Sequence, residues 1–136
     1  MTDYKIETIE GIGPALGARL REAGVEKVSD LLAAAKTKKQ RHELAAASEI
    51  SEKLILKFAN MADLFRIKGI GEEYSELLEA AGVDTVPELA MRNAANLTAK
   101  MEEVNAEKKL TRQTPFLKNV EKWIEEAKTL PRVLEY

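Results

Sequence analysis

Two short segments carry the residue types best suited to hold a ligand. Ile9-Glu10-Gly11-Ile12-Gly13 recurs 58 residues later as Ile67-Lys68-Gly69-Ile70-Gly71. Glycines permit backbone angles that other residues avoid and let another backbone come close. Amide groups of such a turn and of the helix it opens face outward at a positive dipole end, the chemistry that receives a phosphate. The second feature is Lys36-Thr37-Lys38-Lys39-Gln40-Arg41-His42, four positive charges with no acid among them. That run reads as a phosphate patch cooperating with the first turn, against the plainer reading of a solvated helix start.

The two turns differ electrically. After Gly13 the helix opens with Pro14, Ala15, Leu16 and Gly17, all neutral, and Arg19 and Arg21 follow one to two turns on. After Gly71 it opens with Glu72 and Glu73, which stabilise the dipole by about 0.3–1 kcal/mol each and repel an incoming anion. The candidate anion site is therefore Gly11, Ile12, Gly13, Ala15, Arg19 and Arg21 with Lys36, Lys38, Lys39 and Arg41. A weaker copy comprises Lys68, Gly69, Ile70 and Gly71. The competing structural reading gives Ile12 and Ile70 to the core and makes each turn a tight helix crossing.

Catalytic chemistry finds little support. The chain has no cysteine and one histidine, His42, which removes thiol catalysis, disulfide frameworks, zinc fingers and iron–sulfur clusters. No P-loop, dinucleotide fingerprint or calcium loop occurs. Expectations are no enzyme activity, no catalytic or metal-binding residues and no cofactor. Phe58, Phe65, Tyr74 and Trp123 stand at helix-core spacing and read as packing groups rather than base-stacking platforms.

The elements that position these residues follow from a duplication. Ten of the 23 positions from Ile9 to Leu31 are identical at the offset of 58, among them Leu20/Leu78, Gly24/Gly82 and Leu31/Leu89, and repeats of this kind set the architecture. A longer offset of 65 lays Ile55, Phe58, Ala59, Ala62 and Phe65 on Val120, Trp123, Ile124, Ala127 and Leu130, one face of a helix. Unit one spans about 9–66 and unit two about 67–131. No Pro/Gly/Ser-rich linker separates them, so one compact domain over 1–136 is expected, with an internal pseudo-twofold repeat. Pro14 suits a first helical position, Gly24 and Gly82 suit left-handed helix ends, and Thr85 with Glu88 is spaced as a capping box. Thr114-Pro115 reads as the start of the last helix. No stretch alternates long enough for a strand, and the fold class is all-α.

The 136 residues are 45% hydrophobic, 32% charged and 5% aromatic, with net charge −2. That composition suits a globular core of aliphatic residues. Residues 1–66 carry net +1 and residues 67–136 net −3, so nucleic-acid binding, if present, is local to the first unit. No apolar run approaches the roughly 20 residues of a membrane span, and the N-terminus lacks the layout of a signal peptide. The expectation is a cytoplasmic protein without membrane contact.

The turns resemble the helix-hairpin-helix motif, which grips nucleic-acid backbone without reading base sequence. In such modules the position two after the second glycine is often Lys or Arg; here it is Ala15 and Glu73. The segment from Asn60 to Tyr74, then Leu77-Leu78, Gly82 through Leu89, and Arg92-Asn93, resembles the DUF4332 family over nearly the full length. That resemblance implies a tandem helix-hairpin-helix fold and carries no established activity. Two function classes stay open: a DNA-backbone binder (DNA rather than RNA) and a protein-interaction adaptor, the latter motivated by the acidic second turn with Glu72, Glu73, Glu76 and Glu79. A rival geometry within 41–56 is a helix-turn-helix, whose second helix would offer Glu52, Lys53 and Lys57 to the major groove.

Overall fold

In the computed structural model, which describes residues 3–136, the chain is all-helical. After a 3-10 turn at Ile6–Thr8 come α1 (Pro14–Glu22), α2 (Val28–Ala34), α3 (Lys38–Ser48), α4 (Glu52–Leu64), α5 (Glu72–Ala80), α6 (Val86–Ala90), α7 (Ala94–Lys108) and α8 (Leu117–Thr129). Extended pairing among the described residues is limited to one isolated bridge between Lys5 and Lys27. No helix among them is long and apolar enough to cross a membrane.

The chain forms two compact units. One runs through Asp63 and takes in Val133–Tyr136; the other is Leu64–Arg132. The division falls near the end of α4, three residues before the repeat boundary expected from sequence. In the first unit Ile6, Ile9, Leu20, Leu31, Ile55 and Phe58 are buried. In the second, Leu77, Leu78, Val86, Leu89, Leu97, Met101, Val120 and Trp123 form the core, with α6 and α7 packed on α8 and α5 on α7. Each such large side chain stabilises the fold by about 1.5–3 kcal/mol. The helix face predicted from the offset of 65 is the buried one for Ile55, Phe58, Ala59, Ala62, Phe65, Val120, Trp123, Ile124 and Ala127, while Leu130, the C-cap of α8, is only partly buried.

The duplication reaches the backbone. Gly11 and Gly69 sit at φ +95° and +93°, Gly24 and Gly82 at +92° and +94°, a region that side chains disfavour. Val25 N–H donates to Leu20 O and Val83 N–H to Leu78 O, each at 2.8 Å. Both helices thus end on a left-handed glycine as expected, and Pro14 occupies the first turn of α1.

Two local expectations need correction. The last helix does not start at Thr114-Pro115 but at Leu117, with Phe116 extended as its N-cap (φ −77°, ψ 154°). The segment before it is held in the loop by bonds to the end of α7. Thr111 N–H donates to Asn105 Oδ1 at 2.9 Å and Asn105 Nδ2 donates back to Thr111 O at 3.1 Å. Asn119 Oδ1 then accepts the Phe116 N–H at 3.3 Å. The Thr85–Glu88 box is also incomplete. Thr85 is the N-cap of α6, yet its side chain makes no cap bond, and the Glu88 carboxylate accepts from Asp84 N–H instead, at 3.3 Å.

Candidate nucleic-acid interface

The first turn is held from beneath. Ile12 is buried, and Gly11 rests on the ring of Phe58, so that a Cβ at position 11 would lie 3.2 Å from Phe58 Cε1. Gly69 meets Trp123 in the same way, its Cβ position 3.1 Å from the indole Nε1. The pairing of Phe58 with Trp123, drawn from sequence at an offset of 65, is thus matched by what each ring does. The isoleucines leave the candidate donor set. Ile12 N–H donates to Ile9 O and Ile70 N–H to Ile67 O, both at 3.1 Å, so each closes its own turn and anchors it in the core.

The amides that remain differ between copies. In the second, Lys68 N–H donates to both oxygens of the Glu126 carboxylate, at 3.3 Å each. The residue in the place of Glu126 in the first unit is Met61, buried and without an oxygen to offer. Among the described residues nothing accepts from the N–H of Glu10, Gly11 or Gly13. At the start of α1, Gly13 is the N-cap with no side-chain cap bond, and its carbonyl takes the Gly17 N–H at 2.8 Å. Ala15 and Leu16 have no carbonyl one turn back within the helix to receive their N–H groups. No acid stands in that first turn, whereas α5 opens on Glu72 and Glu73.

The predicted cations divide. Lys36, Lys38 and Lys39 are exposed, with Thr37 capping α3 through Gln40 N–H at 3.1 Å and receiving Gln40 Oε1 on its own N–H at 3.1 Å. Arg41 is withdrawn from the set, being only 4% exposed. Its guanidinium donates to Ala35 O (2.8 Å), Lys36 O (3.1 Å) and Glu135 O (2.7 Å), and it stacks 5.6 Å from the Tyr136 ring centroid. It fastens the last residues to the α2–α3 loop, and with three N–H groups committed and the side chain buried it is not presented to phosphate.

Arg21 makes a two-pronged ion pair with Glu7, the second bond at 2.6 Å. Hydrogen bonds from Arg21 hold the Glu7 carboxyl below its ordinary range and raise the guanidinium in turn. Gly17 makes room for this pair, since a Cβ there would meet Glu7 Cδ at 2.9 Å. Arg19 reaches the Glu49 carbonyl at 3.4 Å, just past the C-terminus of α3. Lys38 begins that helix, so the lysine cluster and the Arg19 contact stand roughly 16 Å apart at 1.5 Å per residue. The structure does not gather the predicted residues into one cluster; it sets two positive features at opposite ends of α3.

Elsewhere His42 Nδ1 pairs with the Glu52 carboxylate across the α3–α4 turn, both side chains being largely solvated. That turn has Glu49 in the left-handed region (φ 58°), and Ser51 Oγ accepts from Leu54 N–H at 3.2 Å. Glu52, Lys53 and Lys57 are exposed. Among the described residues no group of three or more His, Asp or Glu side chains is placed to hold a metal.

An all-helical chain with duplicated glycine turns, one capped by its own carboxylate and one not, defines the class. The chain belongs to the DUF4332 family, a domain of unknown function, whose family model matches residues 10–130. No curated protein and no solved structure matches it.

Proposed function

We propose that this chain is a non-catalytic module that binds the sugar–phosphate backbone of DNA without reading base sequence, and that each glycine turn with its flanking helices is a helix-hairpin-helix element. The observation that carries this reading is the contrast at the turns. In the second copy an oxyanion, the Glu126 carboxylate, lies against the turn's Lys68 amide. The first copy has the same glycine angle to within 2°, a neutral helix start and no carboxylate in that place. A backbone phosphate accepts from the open amides of the first turn, those of Glu10, Gly11, Gly13 and Ala15. Lys36, Lys38 and Lys39, at the opposite end of α3 from the Arg19 contact, meet further phosphates of the same backbone.

Anisotropy titrations of labelled duplex and single-stranded DNA at roughly 50 and 200 mM salt test this, because each phosphate contact steepens the log–log salt slope by about 0.9 on duplex DNA. Replacing Lys36, Lys38 and Lys39 by alanine flattens that slope by about 3. Absence of binding at the lower salt, or an unchanged slope in the triple variant, overturns the reading.

The adaptor reading has one observation of its own. Phe116 and Leu117, neighbours at the start of α8, are 65% and 45% exposed, in the more acidic half of the chain. Pulldown with wild type and a Phe116→Ser, Leu117→Ser variant tests it; a partner lost in the variant, with DNA binding absent, favours the adaptor.

A further inference from the structure

The second turn faces a concavity of about 300 Å³ lined by Lys68, Gly69, Asn119, Lys122, Trp123 and Glu126. The last four share one face of α8 at i, i+3, i+4 and i+7. Its floor is the indole edge of Trp123. This residue is 5% exposed and packs its ring against Tyr74 at 5.3 Å, yet among the described residues nothing accepts from its Nε1–H. No buried polar side-chain atom among the described residues lacks a partner, so this N–H opens into the concavity, where it can donate to what enters. Gly69 keeps this edge open, because its missing Cβ would sit 3.1 Å from Nε1.

The surrounding groups are of both signs. Lys68 and Lys122 bring two ammonium groups. Asn119 spends its carbonyl on Phe116 N–H and keeps its NH₂ donors. Glu126 takes one N–H on its two oxygens, at 3.3 Å each, and a carboxylate has about four acceptor sites, so it retains capacity for a cation. A phosphodiester brought here meets the Glu126 charge, and a simple cation meets two lysines. A small zwitterion satisfies both ends.

We propose that this concavity in the second unit binds a free α-amino acid. The carboxylate accepts from Trp123 Nε1–H and pairs with Lys68 and Lys122, and the ammonium group pairs with Glu126. This site is separate from the DNA contact proposed at the first turn and stands or falls without it.

The chain has a single tryptophan, so intrinsic fluorescence reads the site directly. Each of the common amino acids other than tryptophan and tyrosine, with acetate, ethylammonium and inorganic phosphate as controls, is titrated into the full chain up to about 10 mM, a range in which weak small-ligand sites saturate. At least one amino acid gives a saturable change in Trp123 emission, and acetate and ethylammonium bind at least tenfold more weakly. Glu126→Gln weakens the amino acid tenfold while leaving acetate unchanged or tighter, and Lys122→Ala, at an exposed position, weakens both. A flat response to every amino acid overturns the proposal and leaves the indole N–H to solvent. Tighter binding of phosphate than of any amino acid overturns it in favour of a plain anion site.

Discussion

Replacing Arg41 by alanine separates a structural cation from a ligand-binding one. Arg41 is nearly fully buried, and three carbonyls depend on it. Of these, Ala35 is the buried one, and its carbonyl left without this donor costs about 1–3 kcal/mol. Lys36 and Glu135 are exposed and recover water, so their loss adds little. Removing the guanidinium from the Tyr136 ring adds about 0.5–1 kcal/mol. The expected destabilisation is about 2–4 kcal/mol, read by urea unfolding followed by circular dichroism. At a slope near 2 kcal/mol per molar the midpoint falls by about 1–2 M without a change in that slope. Lys38→Ala and Lys39→Ala, on the same run, stay within about 0.5 kcal/mol of the parent, as solvated positions do. If Arg41→Ala also stays within that margin, the reasoning is wrong and Arg41 returns to the candidate phosphate ligands.

Two further outcomes test the positioning of the first turn. Gly11→Ala combines a left-handed angle with contact against Phe58, whereas Gly24→Ala meets the angle alone in open space; thermal unfolding should show about 1–2 kcal/mol lost at Gly24 and more than that at Gly11. The Glu7–Arg21 pair makes stability depend on acid. The Glu7 carboxyl lies below its ordinary 4.5 in the fold, so its contribution is present above that value and is lost as pH falls through the lowered one. Unfolding curves of Glu7→Gln and the parent should therefore differ near neutrality and converge in acid; a gap that persists after Glu7 is protonated would contradict the assigned cause.

Much of the fold was legible because it is written in short-range pattern. The offset of 58 marked Gly11, Gly24, Gly69 and Gly82, and all four have the positive φ that excludes most side chains. The face of α4 was legible because a helix repeats every 3.6 residues. What escaped was set by distant partners. Arg41 looks like its lysine neighbours until Glu135, 94 residues away, supplies a carbonyl to it. Glu126 looks like a solvated helix carboxylate until the chain brings it to an amide 58 residues earlier. At Thr114-Pro115 and Thr85–Glu88 the cap residues are suitable, but neighbouring bonds through Asn105, Asn119 and Asp84 took precedence. The departure of α5 from the usual anion-binding pattern, with acids where a cation is common, was visible in Glu72 and Glu73. The carboxylate completing that contrast was not.

The claim on which the functional reading rests is that the two turns share a backbone but not an availability for anions. Amide ¹H–¹⁵N spectra recorded while a short DNA duplex is added measure this residue by residue. The account predicts saturating shifts at Glu10, Gly11, Gly13, Ala15 and Leu16, with Lys68 through Gly71 unmoved. Shifts confined to the second turn, or none at the first, would contradict it.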